Sequence, residues 1–125
     1  MKGYEVKIVS CNKELSARER IKLKDTTNAV SLDEATEGSG VVISPSIWAE
    51  LNIYNEKAKD GDNKNYTKYV IIDEAGTKYV TGSESFWTSF CDIAEEMNGE
   101  VFDVEAYKVD SKNYKGKQFI SCSIV

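Results

Sequence analysis

Histidine is absent from the 125 residues. With it go the Ser-His-Asp triad, the histidine zinc ligand and the imidazole pH switch. A cysteine nucleophile would also lack its usual base. The three cysteines, Cys11, Cys91 and Cys122, are odd in number and contain no Cys-x-x-Cys pair. Neither a disulfide framework nor a structural zinc site uses such a set, so they are expected to be small buried hydrophobes in a reducing compartment. Pro45 is the single proline, and no Ser/Gly-rich or Pro-rich tract marks a linker. No apolar run reaches the roughly 18 to 20 residues of a membrane span. The opening Met-Lys-Gly-Tyr-Glu carries no apolar signal core. A single intracellular, soluble domain over residues 1–125 is expected.

What is there alternates. Tyr4, Val6 and Ile8 interleave with Glu5 and Lys7, and Ile21 and Leu23 with Arg20, Lys22 and Lys24. Val41–Ile43, the set Ile47, Leu51 and Ile53, and the β-branched and aromatic runs 66–72 and 77–81 extend the same period of two. Gly76 between the last two can supply the positive φ of a tight hairpin. Residues 101–109 and 118–125 predict a final hairpin around the loop 110–117. One segment has helical spacing instead: Phe86, Phe90, Ile93 and Met97, with Trp87 and Ala94 beside them. Ser83 is its N-cap and Asn98-Gly99 its stop, giving a helix over about 84–98. A mainly β chain with one helix before the last hairpin predicts a five-stranded Greek-key barrel of OB type. The alternative is a plain α+β sheet with one packed helix.

Sixteen basic against twenty-one acidic residues give a net charge of -5, which argues against a polyanionic partner. The distribution is uneven, however. Seven acids and no base lie between Glu84 and Glu105, and the remainder carries a net +2. Two stretches are locally basic, and a polyanion responds to the local field. Lys13–Lys24 offers Arg18, Arg20, Lys22 and Lys24 at every second position, one face if the segment is a strand. The run Tyr107 to Phe119 alternates Lys108, Lys112, Lys115 and Lys117 with Tyr107 and Tyr114. Lysines that follow phosphates and aromatic faces that stack on unpaired bases are the mixture that holds single-stranded nucleic acid. Phe119 is expected in the core and Tyr114 on a base. A third lysine-bearing stretch, 57–68, is weaker, and Trp48, Tyr54, Tyr69 and Tyr79 are further stacking candidates.

Enzyme readings fare worse. Glu5-Val6-Lys7 has the Glu-x-Lys spacing of metal-dependent nucleases, and Asp73-Glu74 could add acids, but no aspartate-bearing strand precedes it. Gly38-Ser-Gly40 lacks the Gly-Lys-Ser/Thr continuation of a phosphate loop. A second class is a protein-interaction module, such as an inhibitor of a DNA-processing enzyme of the host, presenting the acidic block 84–105.

The stretches GTKYVTGSESFWTSFCDIAEEM (76–97) and YKVDSKNYKGKQFISCSIV (107–125), with the opening KELSARERIKLKD, resemble small single-stranded DNA-binding proteins of phages and integrated elements of Gram-positive bacteria. The resemblance implies an OB-type barrel that coats single-stranded DNA without sequence preference during replication or recombination, in the cytoplasm of the host cell. It carries over to Lys112, Tyr114, Lys115 and Lys117 of the basic-aromatic loop. Replication or recombination proteins are the implied partners, with no cofactor, no metal and no membrane. A homodimer would extend the footprint, since one small barrel covers about 4 to 16 nucleotides. Bacterial housekeeping proteins of this class end in an acidic tail, whereas this sequence ends in Ile-Ser-Cys-Ser-Ile-Val. The resemblance therefore transfers neither the tail nor a tetramer.

Overall fold

The computed structural model describes residues 4–55, 65–111 and 116–125. Its longest strand pair comes from the alternating middle of the chain. Strand β4 (Pro45–Asn55) runs antiparallel to β1 (Tyr4–Cys11) on one side and to β5 (Asn65–Asp73) on the other. Strand β5 then turns into β6 (Lys78–Thr81), which is flanked in parallel by the two residues of β2 (Val30–Ser31). Together they form a large sheet in the order β1-β4-β5-β6-β2. The β5–β6 turn is the expected one. Gly76 adopts φ 92°, and the Asp73 carboxylate accepts from the amides of Ala75 at 3.0 Å and Thr77 at 2.8 Å.

A small sheet holds β3 (Val41–Ile43), β7 (Val104–Asp110) and β8 (Gln118–Ile124) in that order, all antiparallel. Only Ser44 separates β3 from β4, so one nearly continuous strand passes from the small sheet to the large one. Buried Pro45 stands at this corner, beside a register shift between Pro45 and Ile47. A proline is tolerated there because the ladder is already broken.

Helix α3 (Glu84–Met97) follows β6 and matches the sequence reading. The Ser83 hydroxyl accepts from the Phe86 amide at 3.2 Å, and Asn98 (φ 46°) and Gly99 (φ 89°) end it in the left-handed region. Its Phe86, Trp87 and Phe90 fill the space between the two sheets, against Tyr69 and Ile71 of the large sheet and Val104, Ala106, Ile120 and Cys122 of the small one. The large sheet has a second apolar face. Ala49, Leu51 and Val70 there, with Val6, Ile8 and Val80 beside them, are covered by Leu23 and Leu15.

The mainly β class therefore holds, but the barrel is not closed. Among the described residues eight strands fall into two sheets with no ladder between them. The place where β8 would meet another strand is taken by α3, whose Ser85 hydroxyl donates to the Ile120 carbonyl at 3.3 Å. Two further helices, absent from the sequence reading, are α1 (Ala17–Lys24) and the single turn α2 (Leu32–Ala35).

Helix α1 replaces an expected strand. Ser16 and Glu19 form a reciprocal capping box, with the Glu19 amide donating to the Ser16 hydroxyl at 3.2 Å and the Ser16 amide to the Glu19 carboxylate at 3.0 Å. These bonds hold the Glu19 carboxyl below the ordinary carboxylate range. On a helix, residues two apart point roughly 200° away from each other. Leu23 is buried, and Ile21, expected beside it in the core, is 69% exposed. The Lys78 ammonium, bonded to the carbonyls of Lys22 and Asp25, clips the end of α1 to β6. Burial lowers its pKa, against the attraction of Asp25.

Two substitutions separate these readings of the chain. Phe90→Ala should cost about 3 to 5 kcal/mol in denaturant unfolding, as expected for a fully buried ring. Ile21→Ala should change stability by less than about 0.5 kcal/mol, as at an exposed position. A large loss at Ile21 would restore the strand reading of 17–24.

Candidate nucleic-acid interface

The charges of α1 do not make one cationic face. Arg18 with Lys22, and Arg20 with Lys24, are neighbours at helical spacing on two different flanks, and all four are exposed. The Arg20 guanidinium donates to the Leu15 carbonyl at 2.7 Å, which ties it to the helix start. Lys22 and Lys24 lie in the last turn, where the helix dipole favours cations. This basic stretch sits outside the large sheet, on the side covered by Leu23.

The second basic stretch is on the small sheet. Pairing of β7 with β8 sets Glu105 opposite Ser123, Tyr107 opposite Ser121 and Val109 opposite Phe119. Directly paired residues share a face, and this is the face turned away from Val104, Ala106, Ile120 and Cys122. Tyr107 and Val109 are half-buried, and Phe119 is 42% exposed. The expectation that Phe119 belongs to the core is thus corrected. Strand β8 has two alternating sets, and Ile120 and Cys122 take the inner one because they pair with Lys108 and Ala106.

Tyr107 has small neighbours on both sides. Ser121 faces it from β8, and continuing the β3 register by one residue brings Gly40 opposite it from the other edge. Its hydroxyl is 2.6 Å from the Ser123 hydroxyl, which fixes the ring along the sheet. Val42, 57% exposed, completes the face beside Glu105. A cleft of about 270 Å³ adjoins Tyr107, lined also by Thr36, Gly38, Ser39, Gly40, Lys108 and Gln118. A Cβ at Gly40 would overlap the Glu105 carboxylate and lie 3.0 Å from its Cδ, so a side chain there would displace Glu105. Gln118 donates to the Asp110 carboxylate at 2.9 Å, and the Ser111 amide to the Lys117 carbonyl at 2.9 Å, closing the hairpin base.

The structure thus brings Tyr107, Lys108 and Lys117 to one hairpin and adds Phe119 and the Gly38–Gly40 strip. It sets Arg18, Arg20, Lys22 and Lys24 outside a different sheet. Lys112, Tyr114 and Lys115 lie outside the described residues. The remaining aromatic candidates are mostly packing. Tyr69 is buried with its ring stacked on Trp87 at 4.8 Å, and burial raises its phenol pKa. Tyr79 and Trp48 pack against the common core, and Tyr54 is half-buried beside Glu5 and Lys7. The run 118–123 offers Phe119 and Ile120 as adjacent apolar residues on opposite faces, and the pairing with β7 decides which is outward.

The nuclease candidates have ordinary structural duties. Glu5 and Lys7 are exposed and lie 3.8 Å apart as an ion pair, and Asp73 holds the turn amides. Among the described residues no group of three or more acidic or cysteine side chains is placed to hold a metal ion, and no helix is long and apolar enough to cross a membrane. All three cysteines are free thiols, Cys122 buried and Cys11 and Cys91 half-buried. Comparison with protein-family models, curated proteins and solved structures gave no match.

Burial pushes the Cys122 thiol up to about 12, from an ordinary value of 9.0. The folded chain keeps this proton where the unfolded chain releases it, so stability should fall as pH rises above about 9. Cys122→Ala should flatten that alkaline loss in denaturant titrations at pH 8 to about 10.5. An unchanged slope would assign the loss to other groups.

Proposed function

We propose that the chain binds single-stranded DNA through the outer face of the small sheet, without strong sequence preference along the strand. The observation that carries this is the pair Tyr107 and Phe119, presented on one open sheet face at the base of a hairpin whose sequence supplies Lys108, Lys112, Tyr114, Lys115 and Lys117. Aromatic rings on a sheet face stack on splayed bases whatever their identity, and the lysines follow the backbone. Coating of DNA during replication or recombination, in the host-cell cytoplasm, is the role this chemistry suits.

The strand order supports an OB-type reading. Counting β3–β4 as one bent strand, the sequence β3/4, β5, β6, α3, β7, β8 has the helix between the third and fourth strands. The bent strand pairs with both the second and the fourth. In that fold the loop between the fourth and fifth strands contacts oligonucleotides, and its counterpart here is 111–117. One departure accompanies this. The outer face of β5 and β6 is packed under Leu23 of α1, so the small sheet carries the platform instead.

The acidic block favours a second reading, a module that docks on a basic protein, since Glu84, Asp92, Glu95, Glu96 and Glu100 are all exposed. These residues follow α3, which packs on the inner side of the small sheet. The two readings therefore use opposite sides of that sheet and are separable by substitution.

Trp87 is buried and Trp48 packs on the common core, so binding is best read from the anisotropy of a labelled oligo-dT. Tyr107→Ala and Phe119→Ala should each weaken binding about tenfold with an unchanged salt slope. Lys117→Glu should weaken binding and flatten the slope by about 0.7 for the lost contact. Affinity unchanged in all of these would remove the small sheet from the site, and absence of binding at about 50 mM salt would favour the protein-docking reading.

A further inference from the structure

The outer face of the small sheet carries an acid at the position where an unspecific nucleic-acid platform has no use for one. Resting on the reading of this face as a base-stacking surface, we propose that Glu105 makes the position at Tyr107 selective for bases that present hydrogen-bond donors, guanine first and thymine last.

Glu105 and Tyr107 are two residues apart on β7 and point to the same side. The Glu105 side chain turns toward the row of Tyr107 on the β3 side, while the Tyr107 hydroxyl reaches Ser123 on the β8 side. Glu105 lies across Gly40, so closely that a Cβ there would overlap its carboxylate, and Gly40 borders the cleft beside Tyr107. The carboxylate therefore stands in the row of Tyr107, on the β3 side of the ring, within reach of the edge of a base stacked there. It is half-buried, and among the described residues no side chain donates a hydrogen bond to it.

An ionised carboxylate only accepts hydrogen bonds. Guanine offers two adjacent donors, the ring N1–H and the exocyclic amine, which match the two carboxylate oxygens. Cytosine and adenine each offer one amine next to a ring nitrogen that repels the second oxygen, and an acidic side chain accepting from the cytosine amine is an established pairing. Thymine places its single N–H between two carbonyl oxygens, both of which repel the carboxylate. The rest of the bound strand would be held by stacking and charge alone, so selectivity belongs to one position.

The test compares labelled oligonucleotides of about 12 residues, one all thymine and one alternating guanine and thymine, by anisotropy in lithium buffer to suppress guanine quadruplexes. Wild-type protein should bind the guanine-containing strand about tenfold more tightly. Glu105→Gln keeps the shape but removes the charge and exchanges one acceptor for a donor, and should abolish the gap, in part by strengthening oligo-dT binding as the repulsion of the thymine carbonyls is relieved. Equal binding of both strands by the wild type would overturn the inference and leave the platform reading standing. A gap that survives in Glu105→Gln would also overturn it. Failure of every strand to bind would overturn the platform reading and this inference with it.

Discussion

Phe90 holds the two sheets in register with each other. Its fully buried ring meets Trp48 edge-on at 5.3 Å, Trp87 at 5.4 Å, Phe86 at 6.1 Å and Phe102 at 6.2 Å. Trp48 comes from the large sheet, Phe86 and Trp87 from α3, and Phe102 from the segment that leads into β7. Rings packed in edge and offset geometries add directional preference to the burial of apolar area. Strand β2 takes the outer edge of β6 and α3 packs along β8, so the described strands do not close on themselves. The small sheet keeps one face on this aromatic cluster and leaves the other to solvent.

The same division places the acids of the helix. Those of α3 belong to an element pressed against the inner side of the small sheet, while the outer side carries Tyr107, Phe119 and Glu105. A total of -5 coexists with a locally basic hairpin. An acidic total still lowers the attraction for phosphate at a distance, so the proposed binding of DNA should be modest in strength and sensitive to salt. The packing of Leu23 against the large sheet has a further effect. It occupies the face that an OB-type barrel would offer, and the burial of Val70 and of Leu51 there shows why that face is apolar rather than cationic.

Elements defined by local signals were legible in the sequence. Helix α3 announced itself through Ser83, the spacing of Phe86, Phe90 and Ile93, and Asn98-Gly99. The β5–β6 turn did so through Gly76, and the last hairpin through its two alternating runs. The segment 17–24 was misread because its alternation of apolar and charged residues counted for less than the capping box of Ser16 and Glu19, a signal that fixes the first turn of a helix. The candidate site was half legible. Composition around 107–119 marked the hairpin, but which of two alternating sets in β8 faces the core is decided by pairing with β7 and by α3, neither of which 118–124 specifies. Hence the sequence reads Phe119 as core, whereas it stands outward on the same face as Tyr107. The role of Gly40 was illegible for the same reason, since its neighbour Glu105 is sixty-five positions away in the chain.

The most direct measurement is residue-resolved amide shift mapping by NMR during titration with oligo-dT. The account predicts that the largest changes fall on Gly40, Tyr107, Lys108, Val109, Phe119 and Ser121, with α1 and the exposed side of α3 unaffected. Changes confined to α1 or α3, or none at saturating oligonucleotide, would contradict it.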